Sequence, residues 1–361
     1  MIYLLIVYLA VASALAARMA ANVVANWREN PGEDPGAVVW CMLVGIALTW
    51  PAWATVVLLY GLGKEIRDLS SGILLVVVVQ GQALLIPPAQ PELLTLRAVA
   101  WGDSQSDVGR VFPAICRAME TERPDLVVGL GDYIQNATVP TEWAPLFLQP
   151  MGALLNVPRI ACRGNHELPA DFAALVCQIP VQQGVGQWAA VTVGRVRWLI
   201  LDANDETLAL RTSMDPGGVQ RTWLQRELSS PEWAAAEHRA AIWHQPHATS
   251  MWYAPSCYYQ SYALPRWREA MDMLAAAGCS LALQAHAHAL QLGAWPTATS
   301  PMIWAISGGG GGALDGVCAP LPQLPVRGAW HHYLLIEFGP GGVVVQARRP
   351  DRSVIAEVRR P

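Results

Sequence analysis

Charged side chains are spread so unevenly along this chain that few folds could accommodate both of its parts. Of its 24 basic and 28 acidic residues, only ten fall within the first 92 positions, at Arg18, in 28–34, in 64–68 and at Glu92. The uncharged stretches between them, 1–17, 37–63 and 70–88, require burial in protein or lipid. About 20 apolar residues cross the hydrocarbon core of a bilayer. The first stretch reaches that length if it continues past a snorkelling Arg18 toward Ala25. The second exceeds it and carries Trp40, Trp50, Trp53 and Tyr60 where interfacial aromatics sit. The third, centred on 73–79, is interrupted by Gln80, Gln82 and Pro87 and reads as a third span or a buried strand. Ala14-Leu15-Ala16 resembles a signal-peptide cleavage site, but the basic segment that should precede one is missing and a second long apolar run follows. The expectation is an integral membrane protein, anchored in the lipid bilayer by two or three transmembrane helices within residues 1–92. Arg18 and Arg28 in the first loop balance Lys64 and Arg67 in the second, so the positive-inside rule assigns no orientation.

Beyond Pro91 short apolar runs alternate with amphipathic ones, the pattern of a layered α/β domain over residues 93–361. Runs at 94–101, 125–130, 159–163, 240–243, 281–284 and 302–307 read as strands. Residues 108–121, 170–177, 218–228 and 266–277 read as helices, and 333–338, 343–347 and 354–358 as three closing strands. A net charge of −4 leaves no basic field for gripping nucleic acid. None of the seven cysteines has metal-ligand spacing; Cys41 lies in an apolar run, and the other six read as buried thiols, with three disulfides the alternative.

Residues of metal-ligand type follow these apolar runs directly. In order they are Asp103 and Gln105, then Gly131-Asp132, then Gly164-Asn165-His166-Glu167, then His244, then His286 and His288. A single aspartate after a strand is ordinarily a turn former. Five groups on successive strand ends instead place ligating side chains where open α/β sheets build their sites. The constellation resembles the calcineurin-like metallophosphoesterase superfamily, whose pattern is D-x-H, G-D, G-N-H-[DE], H and G-H-x-H. Gln105 stands in place of the first histidine, and Ala285 in place of the glycine before His286-Ala287-His288. Val219-Gln220 with Trp223-Leu224 and Glu227-Leu228, the His244-Gln245-Pro246 turn, and Ile306-Ser307 with Gly308 to Gly312 are similar to the branch that includes the purple acid phosphatases. That branch's metal-binding tyrosine, three residues after the G-D aspartate, is replaced by Gln135, so no purple iron centre is expected.

The resemblance implies a four-layer β-sandwich, two mixed sheets flanked by helices, that holds two divalent metal ions. Two cations about 3.5–4 Å apart can clamp a phosphate ester and share an activated hydroxide. On the family pattern the first takes Asp103, Asp132 and His288, and the Gln105 carbonyl oxygen is either its fourth ligand or turned instead toward substrate or a metal-bound water. The second takes Asp132, Asn165, His244 and His286, with Asp132 bridging. His166 is left to protonate the leaving alkoxide as general acid, with its pKa held up by the neighbouring Glu167 carboxylate. An amide oxygen is a harder donor than imidazole, which favours Mn²⁺, with Fe or Zn²⁺ the other options. The expected activity is hydrolysis of a phosphate monoester or diester by a membrane-anchored enzyme. The alternative, motivated by Gln105, is a catalytically degraded metal-binding or ligand-binding membrane protein on the same fold.

Weaker signals remain. Trp252, Tyr253, Tyr258, Tyr259 and Tyr262 follow His244 closely and read as a flap over the site or as loop packing. His247 reads as a phosphate-pocket residue or a solvent-facing loop histidine, the glycine run as a backbone-amide phosphate cradle or a turn with positive φ, and His331 and His332 as structural. Asn136-Ala137-Thr138 is a formal glycosylation sequon.

Overall fold

The computed structural model describes 54–59, 74–79 and 82–86 as backbone, and residues 95–361 apart from 106–109, 137–138, 169–171, 173–187, 205–212, 252–263, 298–299 and 317–320. The chain divides into two units, Met1–Glu92 and Leu93–Pro361.

Three strands of the first unit, β1 (Ala54–Leu59), β2 (Leu74–Val79) and β3 (Gln82–Ile86), form an antiparallel sheet in the order β1-β2-β3. The end of the second apolar stretch is therefore extended where a helix was expected, and the third takes the strand form. The β-branched runs Thr55-Val56-Val57 and Val76 to Val79 account for this preference, because two heavy atoms on Cβ crowd a helical turn and fit a pleated sheet. The first apolar stretch and most of the second lie outside the described residues. Among the described residues no helix is long and apolar enough to cross a membrane.

The second unit holds two mixed sheets. One joins β4 (Leu96–Trp101), β5 (Leu126–Gly129), β6 (Arg159–Ala161), β14 (Tyr333–Gly339), β15 (Gly342–Arg348) and β16 (Val354–Arg360) in the order β16-β15-β14-β4-β5-β6. The other joins β7 (Ala189–Val193), β8 (Val196–Ile200), β9 (His238–Ile242), β10 (Leu281–Gln284), β11 (Leu290–Trp295), β12 (Met302–Ser307) and β13 (Val326–Gly328) in the order β13-β11-β12-β10-β9-β8-β7. Strands β4, β5 and β6 run parallel, as do β8, β9, β10 and β12, while the outer strands are antiparallel. The β7–β8 hairpin is absent from the sequence reading; Gly194 at φ 57° opens its two-residue turn.

Burial on both faces explains why the central strands are continuously apolar. Along β4, Ala98 and Ala100 join the core between the sheets, whereas Val99 and Trp101 face the opposite layer. That layer contains α1 (Phe112–Thr121), whose Phe112, Ile115, Cys116 and Met119 recur at helical spacing and meet Val127 and Tyr333. Pro113 fits its first turn, where a missing N–H costs nothing. On the far side of the other sheet, α2 (Val219–Glu227), α3 (Pro231–Ala235) and α4 (Leu264–Ala276) cover Ala241, Trp243 and Trp304 with Leu224, Trp233, Trp267 and Met271. The result is helix, sheet, sheet, helix. Each large apolar side chain fully buried this way, such as Ile115 or Phe147, contributes about 1.5–3 kcal/mol. Cys116, Cys162 and Cys279 are buried free thiols. The helix expected at 170–177 lies outside the described residues except for a helical Phe172.

Candidate metal centre

Parallel strands from both sheets end at one place. Asp103 follows β4, Asp132 follows β5, the 164–167 turn follows β6, His244 follows β9, and His286 and His288 follow β10. Beyond β4 and β5 the two loops stay joined, since Asp103 N–H donates to the Gly131 carbonyl at 3.0 Å and Gln105 N–H to the Asp132 carbonyl at 3.1 Å. Asp103, Asp132 and His286 have φ of 60°, 57° and 67°, a left-handed conformation that costs non-glycine residues energy and re-aims their side chains. The Ala285–Ala289 segment is irregular: Ala287 N–H donates to the Ala285 carbonyl and Ala289 N–H to the Ala287 carbonyl, two successive γ-turns. They let two histidines spaced i, i+2 face the same centre, where a regular strand would also align them but carry them away along its axis.

Asp132, His244 and His286 each offer a ligand atom within 4.8 Å of the others. Asp132 Oδ2 lies 3.1 Å from His244 Nε2, and His286 Nδ1 lies 3.2 Å from that same Nε2. On the other side, Asp103 Oδ1 is 3.5 Å from His288 Nε2, and Gln105 Nε2 is 3.3 Å from Asp132 Oδ2 and 3.0 Å from His288 Nε2. Asn165 is exposed on the 164–167 turn, between Gly164, which packs on Asp132, and His166, whose N–H donates to Asp132 Oδ1 at 3.0 Å.

The site's own chemistry fits cations. Asp103 Oδ1 and Gln105 Oε1 are buried without a hydrogen-bond partner. His244 Nδ1 is 2.7 Å from the Leu130 carbonyl and His288 Nδ1 is 2.7 Å from the Ala313 carbonyl, so both rings keep Nε2 for the centre. A half-turn of the Gln105 amide exchanges its nitrogen and oxygen, so either atom can face that centre. Burial would lower the His244 pKa, yet the Asp132 carboxylate, by charge and hydrogen bond, and Asp103 push it up to about 9. Burial works against ionised Asp132, but His244, His166 and His286 hold its pKa below the usual carboxylate range. His286 is pushed down to about 3 by burial and then by His244. The carboxylates thus favour positive charge at His244, and a divalent cation binding there would compete with a proton for that place.

A family model for calcineurin-like phosphoesterases matches residues 101–290, more than half of the chain and all of these side chains. The chain belongs to that family. The chain also aligns with solved structures. A purple acid phosphatase from yellow lupin (Lupinus luteus) seeds has a TM-score of 0.60 at 16% identity, over 85% of this chain and 59% of that one, so the chain spans about three-fifths of the lupin protein. The structure of PhoD gives a TM-score of 0.52 at 12% identity over 90% of each chain. The anchor in the inner membrane complex of Plasmodium gives 0.51 at 14% identity, over 74% of this chain and 88% of that one. At such identities the likeness concerns the fold. No curated protein matches the sequence.

Several residues sit differently from expectation. Glu167 does not support the His166 ring; its buried carboxylate accepts the N–H groups of Asp132 (3.1 Å), Tyr133 (2.6 Å) and Gly164 (2.8 Å), tying two loops together. Burial and then the Asp132 carboxylate push its pKa up to about 7. The His166 ring instead has Nδ1 2.6 Å from the Gln135 carbonyl and Nε2 3.8 Å from Asp132 Oδ2. His247 is neither at a phosphate pocket nor in solvent. It is buried, stacked on Trp304 at 4.9 Å with Trp295 edge-on at 5.0 Å, and burial holds its pKa down at about 4. The glycine run has a positive φ at Gly311, 157°, and otherwise serves close approach: a Cβ on Gly308 would lie 2.1 Å from the Ala287 carbonyl and one on Gly312 2.9 Å from the His288 ring. Ala285 is accommodated by Gly102, since a Cβ there would meet the Ala285 Cβ at 2.4 Å. His332 is buried against Ser307 Oγ at 3.0 Å, a structural place as expected. The aromatic segment from Trp252 to Tyr262 lies outside the described residues.

Sequence reasoning passed over Asp315, whose carboxylate accepts the His288 N–H at 2.8 Å and whose own N–H donates to the His288 carbonyl at 2.9 Å. Replacing Glu167 by glutamine keeps one acceptor and turns the other into a donor facing buried N–H groups. The expected cost is about 2 kcal/mol of stability, checked by urea unfolding of the metal-free protein.

Proposed function

We propose that this chain hydrolyses phosphate esters with a pair of divalent cations held between the two sheets' strand ends. The observation that carries the reading is that two buried carboxylates, Asp103 and Asp132, face imidazoles whose other nitrogens are already committed, with Asp103 Oδ1 accepting no hydrogen bond. Asp103, Gln105, Asp132 and His288 would hold one cation, and Asp132, Asn165, His244 and His286 the other. Bound there, the pair supplies positive charge for the phosphoryl oxygens and makes water acidic enough to attack at neutral pH. His166 keeps Nδ1 on the Gln135 carbonyl and presents Nε2 at the edge of the site, where it can carry a proton to the leaving oxygen. Elemental analysis of the purified chain and a panel of monoesters and diesters with Mn²⁺, Fe²⁺ and Zn²⁺ test the reading. Two equivalents of metal and metal-dependent turnover are expected; fewer than two, or no turnover with any ester, would overturn it.

Manganese is the proposed activator, and Gln105 is the reason. Gln105→His is expected to raise zinc affinity about tenfold and to shift the activating metal away from manganese. Identical selectivity in the two proteins would remove Gln105 from the ligand set.

We also propose that residues 1–92 hold the protein at a lipid bilayer, on the strength of their few charges and long apolar stretches. The full chain is expected to stay with membranes through an alkaline carbonate wash, while residues 93–361 partition as soluble protein. Release of the full chain by carbonate would end the proposal.

A further inference from the structure

A polar cluster lies beside the second cation site, and its centre, Arg163, Asp202 and Asn204, has no part in the family pattern. Asp202 and Asn204 follow β8, Arg163 precedes the 164–167 turn, and Gln245 follows His244. The Arg163 guanidinium reaches both Asp202 carboxylate oxygens, at 3.2 and 3.4 Å, and its other amino group donates to the Glu167 carbonyl at 3.3 Å. Asn204 Nδ2 donates to the Arg163 carbonyl at 2.6 Å and to Asp202 Oδ1 at 3.1 Å. Gln245 Nε2 donates in turn to Asn204 Oδ1. Asp202 is itself fixed from α2: its N–H donates to Gln220 Oε1 and its carbonyl accepts from Gln220 Nε2, both at 2.8 Å.

The two ends of the turn that carries Asn165 and His166, the Arg163 and Glu167 carbonyls, are thereby held by one network. The far side of that network is the residue directly after His244. The turn belongs to the six-stranded sheet and His244 to the seven-stranded one, and β6 is an edge strand with β5 as its neighbour in its sheet. Backbone pairing within either sheet therefore cannot set the distance between Asn165 and His244. Arg163 and Asp202 are nearly buried, with side-chain exposures of 12% and 2%, which makes their ion pair less screened and more costly to break than a surface pair.

We propose that Asp202 and Asn204 are positioning residues for the second cation site, setting the turn that carries Asn165 and His166 against His244. The inference rests on the two-cation reading above and deepens it. Outer residues that orient ligands typically cost 10–100-fold in metal affinity when lost. The first site, built from Asp103, Gln105 and His288, takes its support from Ala313 and Asp315 and lies outside the network.

Calorimetric titration of the metal-stripped full chain with Mn²⁺ separates the two sites. The wild type is expected to take up two equivalents. Asp202→Asn, which keeps the shape and an acceptor but removes the charge opposite Arg163, is expected to bind one equivalent unchanged and the other about 10–100-fold more weakly. Asn204→Ala leaves the Arg163–Asp202 pair in place and cuts only the side-chain links to the Arg163 carbonyl, Asp202 Oδ1 and Gln245; about tenfold on the same equivalent is expected, and this variant decides the matter should Asp202→Asn fail to fold. Two equivalents bound with wild-type affinity, or both weakened alike, would overturn the positioning role. A wild type that takes up fewer than two equivalents would overturn the two-cation reading instead.

Discussion

Asp132→Asn is expected to lower hydrolysis by about 10³-fold or more, equivalent to about 4 kcal/mol of barrier, and to reduce the metal that co-purifies with the chain. One oxygen of this carboxylate faces both halves of the site: Oδ2 is 3.1 Å from His244 Nε2 and 3.3 Å from Gln105 Nε2. The amide removes the negative charge shared by the two halves and risks placing an N–H₂ group where a cation would sit. The fold should survive, because asparagine is one of the few residues that tolerates a φ of 57°, and its remaining oxygen can still accept the His166 N–H. Phosphatase assay, elemental analysis and circular dichroism on the same preparation check all three statements. Full activity with unchanged metal content would sink the assignment of Asp132 as the shared ligand.

The parts of this molecule visible in its sequence are those where local pattern and tertiary role coincide. Strands at 281–284 and 302–307 are apolar on both faces because helices and the opposing sheet cover them, so their runs have sharp ends. The site groups were legible for the same reason: each polar residue stands directly after such a run. The β7–β8 hairpin escaped because Thr192 and Arg197 break the apolar runs, although the Val193-Gly194-Arg195-Val196 turn carried the signal. Missing β8 also hid Asp202 and Asn204, which follow it as Asp132 follows β5. His247 reads as a loop residue because its neighbours in sequence are polar; the tryptophans that enclose it come from β11 and β12, about fifty residues away. Glu167 was misplaced because adjacency in sequence to His166 says nothing about where a side chain points after a turn. Its three backbone partners span residues 132 to 164 and exist only once β5 and β6 pair. In the first unit, hydropathy alone does not distinguish an apolar helix from an apolar strand, and there the β-branched residues were the better guide.

His166→Ala is expected to keep the metals and to lose roughly 10²–10⁴ in rate on alkyl esters, with much less lost on an activated phenolate. The imidazole is not committed to the centre as His244 and His286 are. Its Nε2 stands 3.8 Å from Asp132 Oδ2, and its side chain is 28% exposed, at the margin where a leaving group departs. Nδ1, 2.6 Å from the Gln135 carbonyl, fixes the ring orientation, so the proton exchanged with substrate is the one on Nε2. An alkoxide needs that proton to leave, whereas a nitrophenolate departs without it, and the ratio of the two losses isolates proton donation from positioning. Alanine also leaves the backbone N–H of residue 166 on Asp132 Oδ1, so the shared carboxylate keeps its orientation. Equal losses on both ester types, or loss of metal from the variant, would move His166 from the leaving group to the cation site.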